Sequence, residues 1–165
     1  MQNSTIIWTG VAALGLAVSP ALAEAHLEDA HSDEASSATA EMPAADIVQA
    51  RRVTYFLTTQ AVGMIKAGID EGGDLRRTRG GAMMLSRWAE TLPKMFPEGT
   101  DLPSSRALPT VWSDREGFEA AASAYRDAAK NLAETAATGD REASNAAFVA
   151  MAGTCHACHE KYREE

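Results

Sequence analysis

Cysteine is nearly absent from this chain: its 165 residues hold two, Cys155 and Cys158. No disulfide framework can be built from them, and a bridge across so short a span would be strained and close little loop entropy. Histidine is scarce too, with only His26 and His31 besides His156 and His159, so a four-ligand zinc site lacks donors. Nowhere does the sequence approach the run of about twenty apolar residues that a membrane-spanning helix needs. Alternating strand patterns are missing, and no βαβ pattern precedes the Cys-x-x-Cys pair as a thioredoxin-type redox site requires. Basic residues are in deficit, and the formal charge of −8 argues against nucleic acid and anionic membrane surfaces as partners.

What the chain does hold is one compact constellation near its end, Cys155-His156-Ala157-Cys158-His159. Two thiols three apart, with an imidazole directly after the second, form the pattern for covalent haem attachment. Each sulfur adds across a haem vinyl group and the histidine ligates the iron. On a helix, positions i, i+3 and i+4 share a face, so Cys155, Cys158 and His159 can reach one porphyrin from a single turn. The motif therefore predicts haem c as cofactor, one per chain, with His159 as the metal ligand. His156 points to another helix face and reads as a solvated side chain.

The opening of the chain has a different purpose. An apolar run from Ile6 to Val18, then Ser19-Pro20 and the small-residue sequence Ala21-Leu22-Ala23, predicts a signal peptide over residues 1–23. It departs from the usual pattern in having no Lys or Arg ahead of the run. Export fits the haem motif, since c-type attachment in bacteria is completed outside the cytoplasm; the expected location is the periplasm, with no membrane association after cleavage. Residues 24–43 are rich in Ala, Ser, Glu and Asp and poor in bulky apolar groups. Such a segment cannot bury enough surface to offset its ordering entropy, and it reads as a disordered acidic tail.

From residue 44 onward the periodicity is helical. Ile47, Ala50, Thr54, Leu57, Ala61, Met64 and Gly68 recur in steps of three and four, predicting a first helix that buries that stripe. Glu71-Gly72-Gly73 stops it and Asp74 caps the next, whose stripe is Leu75, Thr78, Ala82, Leu85, Ala89, Leu92 and Phe96, with Pro93 kinking or ending it. Residues 96–112 hold three prolines and show no period, so they form a crossover loop. Ser113-Asp114-Arg115-Glu116 offers a capping box headed by Ser113. A third helix follows with Phe118, Tyr125 and Leu132 at seven-residue intervals. Thr138-Gly139-Asp140 separates it from a fourth, which carries Ser144, Phe148, Met151, Cys155, Cys158 and Tyr162 on one side. The expected fold is all-α, an antiparallel four-helix bundle over residues 44–165 with covalent haem near its C-terminus.

Four stretches in this order carry a family resemblance: Arg52-Val53-Thr54-Tyr55-Phe56, Phe96-Pro97-Glu98-Gly99-Thr100, Pro109-Thr110-Val111-Trp112-Ser113-Asp114, and Cys155 to Arg163 with the haem motif at its head. Together they resemble cytochrome c′, the class II c-type cytochromes. The resemblance implies a five-coordinate iron whose other axial side is closed by an apolar side chain four residues after an Arg, placing Phe56 there and Arg52 beside a propionate. Tyr55, next in sequence, is expected to face elsewhere, partly exposed or at an interface. The family also carries a basic residue four positions after the ligand histidine, here Arg163, able to meet nitric oxide that displaces that histidine. Trp112 reads as packing and Arg106 as a further propionate partner, while Trp88 is open between haem wall and dimer contact. Family members are commonly homodimers through their first two helices.

These residues divide the functional readings. Phe donates no lone pair to iron, so an open, guarded site implies binding of small diatomic gases, nitric oxide and carbon monoxide, with nitric oxide sequestration as the task. Relatives with Met at position 56 ligate iron on both sides and carry electrons to a redox partner protein, which is the alternative here. No catalytic residue is expected, because no distal His and Arg pair accompanies Phe56 to cleave an O–O bond.

Overall fold

A computed structural model describes residues 42–164. The expected signal peptide and the bulk of the acidic tail lie outside these residues. Within them the chain forms helices α1 (Ala44–Asp70), α2 (Leu75–Thr91), a 3-10 turn (Leu92–Met95), a single-turn helix α3 (Thr110–Ser113), α4 (Arg115–Ala137) and α5 (Arg141–Tyr162). The four long helices make an antiparallel bundle, as the periodicity predicted.

Its joints follow from local chemistry. The turn between α1 and α2 needs a left-handed backbone at Gly72, φ 78°, and Asp74 then caps α2 by accepting from the Arg76 N–H. Arg141, at the start of α5, donates to the carbonyls of Gly68 and Ile69 at the α1 C-terminus and of Gly73 in the turn that follows, tying α5 to that end of α1. Pro93 ends α2 within the 3-10 turn, as expected. Asp140 caps α5 by accepting from the Ala143 N–H.

One expected cap moves. Ser113 belongs to α3, a turn the sequence did not suggest, and the N-cap of α4 is Asp114, whose carboxylate accepts from the Gly117 N–H. The same carboxylate accepts from the Tyr162 hydroxyl at 2.8 Å and pairs with Lys161. A hydroxyl at 113 would have tied only its own helix, whereas Asp114 joins the start of α4 to the end of α5.

The core has two parts. Leu85, Ala129, Leu132, Ala133 and Met151 fill the middle of the bundle, where alanines let α2 and α4 approach closely. Leu92, Phe96, Val111, Phe118, Ala122 and Tyr162 form a second cluster beneath the crossover loop, built on edge-to-face aromatic pairs. The stripes expected on α2 and α5 face these clusters. On α1 the register is different: Val48, Arg51, Ala61, Ile65 and Ile69 are buried, while Leu57 and Met64, expected inside, are exposed. The expected stripe runs along the border of the buried face: Ala61 is buried, Ile47, Ala50, Thr54 and Gly68 are half-buried, and the buried face itself, interrupted by Arg51, lies one residue further on. α1 packs chiefly on α2 and only lightly on α5. A cavity opens between α1, α5 and the crossover loop.

Candidate functional site

The haem motif sits on the last two turns of α5, where the helix keeps Cys155, Cys158 and His159 on adjoining faces. Both cysteines are unpaired and half-buried; burial pushes each thiol upward, and Cys155 adds to the effect at Cys158. His159 is drawn below the ordinary imidazole range, first by burial and then by Arg163, His156 and Arg106. That keeps a lone pair available for a metal. His156 faces solvent and pairs with Glu160, as its position suggested.

Beside the motif lies a cavity of about 380 Å³. Its walls are Val48, the buried Arg51, Phe96, Val111 and Phe118 with Cys158 and His159, and Arg52, Arg106 and Arg163 also line it, with no carboxylate among the described lining residues. An apolar slot with a cationic edge fits a flat hydrophobic molecule bearing anionic substituents, which describes a porphyrin with its propionates. The thiols and imidazole at its side complete the donor set for haem c.

Arg51 is the residue that the sequence reading missed. It is only 3% exposed, and its guanidinium donates to the Thr100 carbonyl at 2.8 Å, Thr100 Oγ1 at 3.0 Å, Ser105 Oγ at 3.1 Å and the Met95 carbonyl at 3.2 Å. Burial lowers its pKa, and no carboxylate pairs with it among the described residues. The signal was present in the spacing Val48, Arg51, Tyr55, one residue inward of the chosen stripe.

The expected site residues come together at this cavity, in unequal positions. Arg52 and Phe56 line it from α1, yet both are exposed, Phe56 to 64%. Tyr55 is partly exposed, as expected, yet it does not turn away from the site: it too lines the cavity and meets Trp88 edge to face at 5.9 Å. Neighbours on a helix diverge by about 100°, and this cavity is broad enough to receive both. Burial drives the Tyr55 hydroxyl strongly upward, with Cys158 adding to it. Arg163 stands with Nη1 3.4 Å from His159 Nδ1.

The crossover loop is fastened onto the end of α5. Leu108 N–H donates to the Tyr162 carbonyl, Glu164 N–H to that of Arg106, and Thr110 Oγ1 to that of Lys161. Trp112, expected to pack, lies against Phe96 and donates its indole N–H to the Pro97 carbonyl. These bonds fix the loop that carries Arg106 against the helix that carries His159.

The family model described as cytochrome C′ matches residues 46–163. A cytochrome c′ from Rhodospirillum rubrum is 36% identical over 132 residues, covering 78% of this chain and 88% of that protein. Among solved structures, a cytochrome c′ described as having an unusual ligand-controlled dimer dissociation superposes with a TM-score of 0.71 at 27% identity, over 76% of this chain and all of the other. A nitric oxide complex of a cytochrome c prime mutant from Alcaligenes xylosoxidans gives 0.67 at 25% identity, over 74% of this chain and 96% of the other.

Proposed function

The chain belongs to the cytochrome c′ family and carries covalent haem c, and from that premise we propose that it binds nitric oxide and carbon monoxide at a haem with one open axial position. The observation that carries the reading is the lining of the cavity: among the described residues it holds, beyond His159, no methionine and no second histidine. A haem held there gains one protein ligand, and its iron supplies the affinity for diatomic gases. The electron-carrier alternative would need a second strong ligand in the lining.

In this reading Cys155 and Cys158 hold the porphyrin and His159 is its axial ligand. Arg52, Arg106 and Arg163 would balance the propionates, while Arg51 is taken up by the crossover loop. Tyr55 and Phe56 share the guarding of the open side, Tyr55 from within and Phe56 from the mouth. Arg163, beside the His159 ring, is placed to donate to a ligand that takes the place of that ring. The protein is not an enzyme in this reading; it sequesters nitric oxide in the periplasm.

The active unit is a homodimer. Val53, Phe56, Leu57 and Met64 form one exposed apolar stripe on α1, with Met84 exposed on α2. That stripe is the surface a second copy covers. Phe56 belongs both to the stripe and to the cavity mouth, so a ligand that displaces its ring also loosens the dimer.

The test is a nitric oxide titration of the reduced, haem-loaded protein followed by visible absorption. Saturable band shifts with one ligand per haem are expected; bands that stay fixed at excess nitric oxide defeat the proposal.

A further inference from the structure

Among the described residues Arg51 is the only charged side chain that is buried. Taking a cation out of water is unfavourable unless a group of opposite charge compensates it. None of its hydrogen-bond partners does. Nη1 donates to the Met95 carbonyl and to Thr100 Oγ1, and Nη2 to the Thr100 carbonyl and to Ser105 Oγ, so all four N–H bonds of the two terminal nitrogens end on neutral oxygens. The guanidinium carbon lies over the Phe96 ring, 4.1 Å from its centre. These contacts solvate the positive charge without cancelling it. A guanidinium keeps its proton in a protein, so the charge persists even though burial lowers its pKa.

Fastening the crossover loop does not by itself account for the charge, because neutral donors bond to carbonyls and hydroxyls with a smaller desolvation penalty. The position of the side chain supplies the rest. Arg51 lines the same cavity as Cys158 and His159. Arg52, Arg106 and Arg163 line it too, but they are exposed, and there water and salt weaken their field. Arg51 acts from the buried side, where a unit charge is felt more strongly.

We propose that Arg51 tunes the reduction potential: its buried charge, solvated only by neutral groups, favours the reduced state of a haem held in this cavity. One electron added to the iron lowers the charge of the site by one and makes or breaks no bond to the protein. A fixed cation in a low-dielectric wall stabilises the less positive of the two states. The purpose of the device rests on the gas-binding reading, since reduced iron is the form that takes carbon monoxide; the shift in potential does not.

The experiment is an anaerobic potentiometric titration of the haem-loaded protein, with dithionite as reductant and the visible bands as readout, on the unaltered protein, Arg51→Lys and Arg51→Gln. Lys keeps the charge and loses the fork, whereas Gln loses both. The midpoint is expected to stay near the unaltered value in Arg51→Lys. In Arg51→Gln it is expected to fall by about 59 mV, which for one electron is a factor of ten in the reduction equilibrium. A loop loosened by either change would move both variants alike, so equal midpoints in the two overturn the proposal, whether both fall or neither does. Where Arg51→Gln does not fold around its haem, Ser105→Asp takes its place. Ser105 Oγ lies 3.1 Å from Nη2, and a carboxylate there cancels the charge without removing it. The same fall is expected, and an unchanged midpoint contradicts the proposal. Carbon monoxide is added last to the reduced proteins: bands that do not shift defeat the gas-binding reading, while the order of the midpoints decides on Arg51 by itself.

Discussion

The Arg51 guanidinium lies 4.1 Å from the centre of the Phe96 ring, while its N–H groups grip Thr100 and Ser105. One side chain of α1 thus holds the first half of the crossover loop against the bundle, and its planar fork is what allows several bonds at once. Arg51→Lys keeps the charge and loses the fork. It is expected to cost about 2 kcal/mol of stability in chemical denaturation followed by circular dichroism, with faster amide exchange in the loop around Thr100.

A second knot closes the other half of that loop. Tyr162 and Asp114 approach over Gly117, where an added Cβ would stand 2.6 Å from the Tyr162 hydroxyl and nearer still to the Asp114 carboxylate. Gly117→Ala is expected to break the Tyr162 to Asp114 bond and destabilise the fold by about 1–3 kcal/mol. The loss should show as a lower midpoint in thermal denaturation; an unchanged midpoint contradicts the close approach.

The same carboxylate gives a pH dependence. Hydrogen bonds from Lys161 and then Tyr162 hold Asp114 below the usual carboxylate range in the folded protein. The unfolded chain binds its proton first as acid is added, so the contribution is complete above the ordinary Asp pKa and is lost as pH falls through the folded value. Asp114→Asn is expected to flatten the acid limb of a plot of thermal midpoint against pH. A limb of equal slope in both proteins excludes Asp114 as its source.

The apolar stripe on α1 predicts its own disruption. Leu57 is exposed and lies away from the cavity lining, so Leu57→Lys should leave folding and haem content intact and lower self-association. Sedimentation velocity at a series of concentrations measures this directly. A variant that sediments as the unaltered protein does removes the stripe from the interface.

Much of this was legible in the sequence, for reasons that differ from element to element. On α2 and α4 the inner stripe is apolar and the outer one largely polar, so period and burial agree, whereas the haem motif on α5 was legible from its spacing. α1 was harder, because Val53, Phe56, Leu57 and Met64 offer a second apolar stripe of equal regularity. The expected stripe took Leu57 and Met64 from it and Ala61 from the buried face, and so passed one residue short of Arg51. Ser113 looked like a cap since capping boxes begin with Ser or Thr. Asp114 took the role through partners at the far end of the chain, Tyr162 and Lys161, which no local pattern reveals. Tyr125 read as a core heptad residue, and so it is.

The most direct measurement is the visible absorption spectrum of the reduced, haem-loaded protein before and after carbon monoxide. An open axial position predicts broad high-spin bands that move on adding the gas. Sharp low-spin bands that stay where they are would mean that both axial sites are already filled by the protein, and the chain would then be an electron carrier.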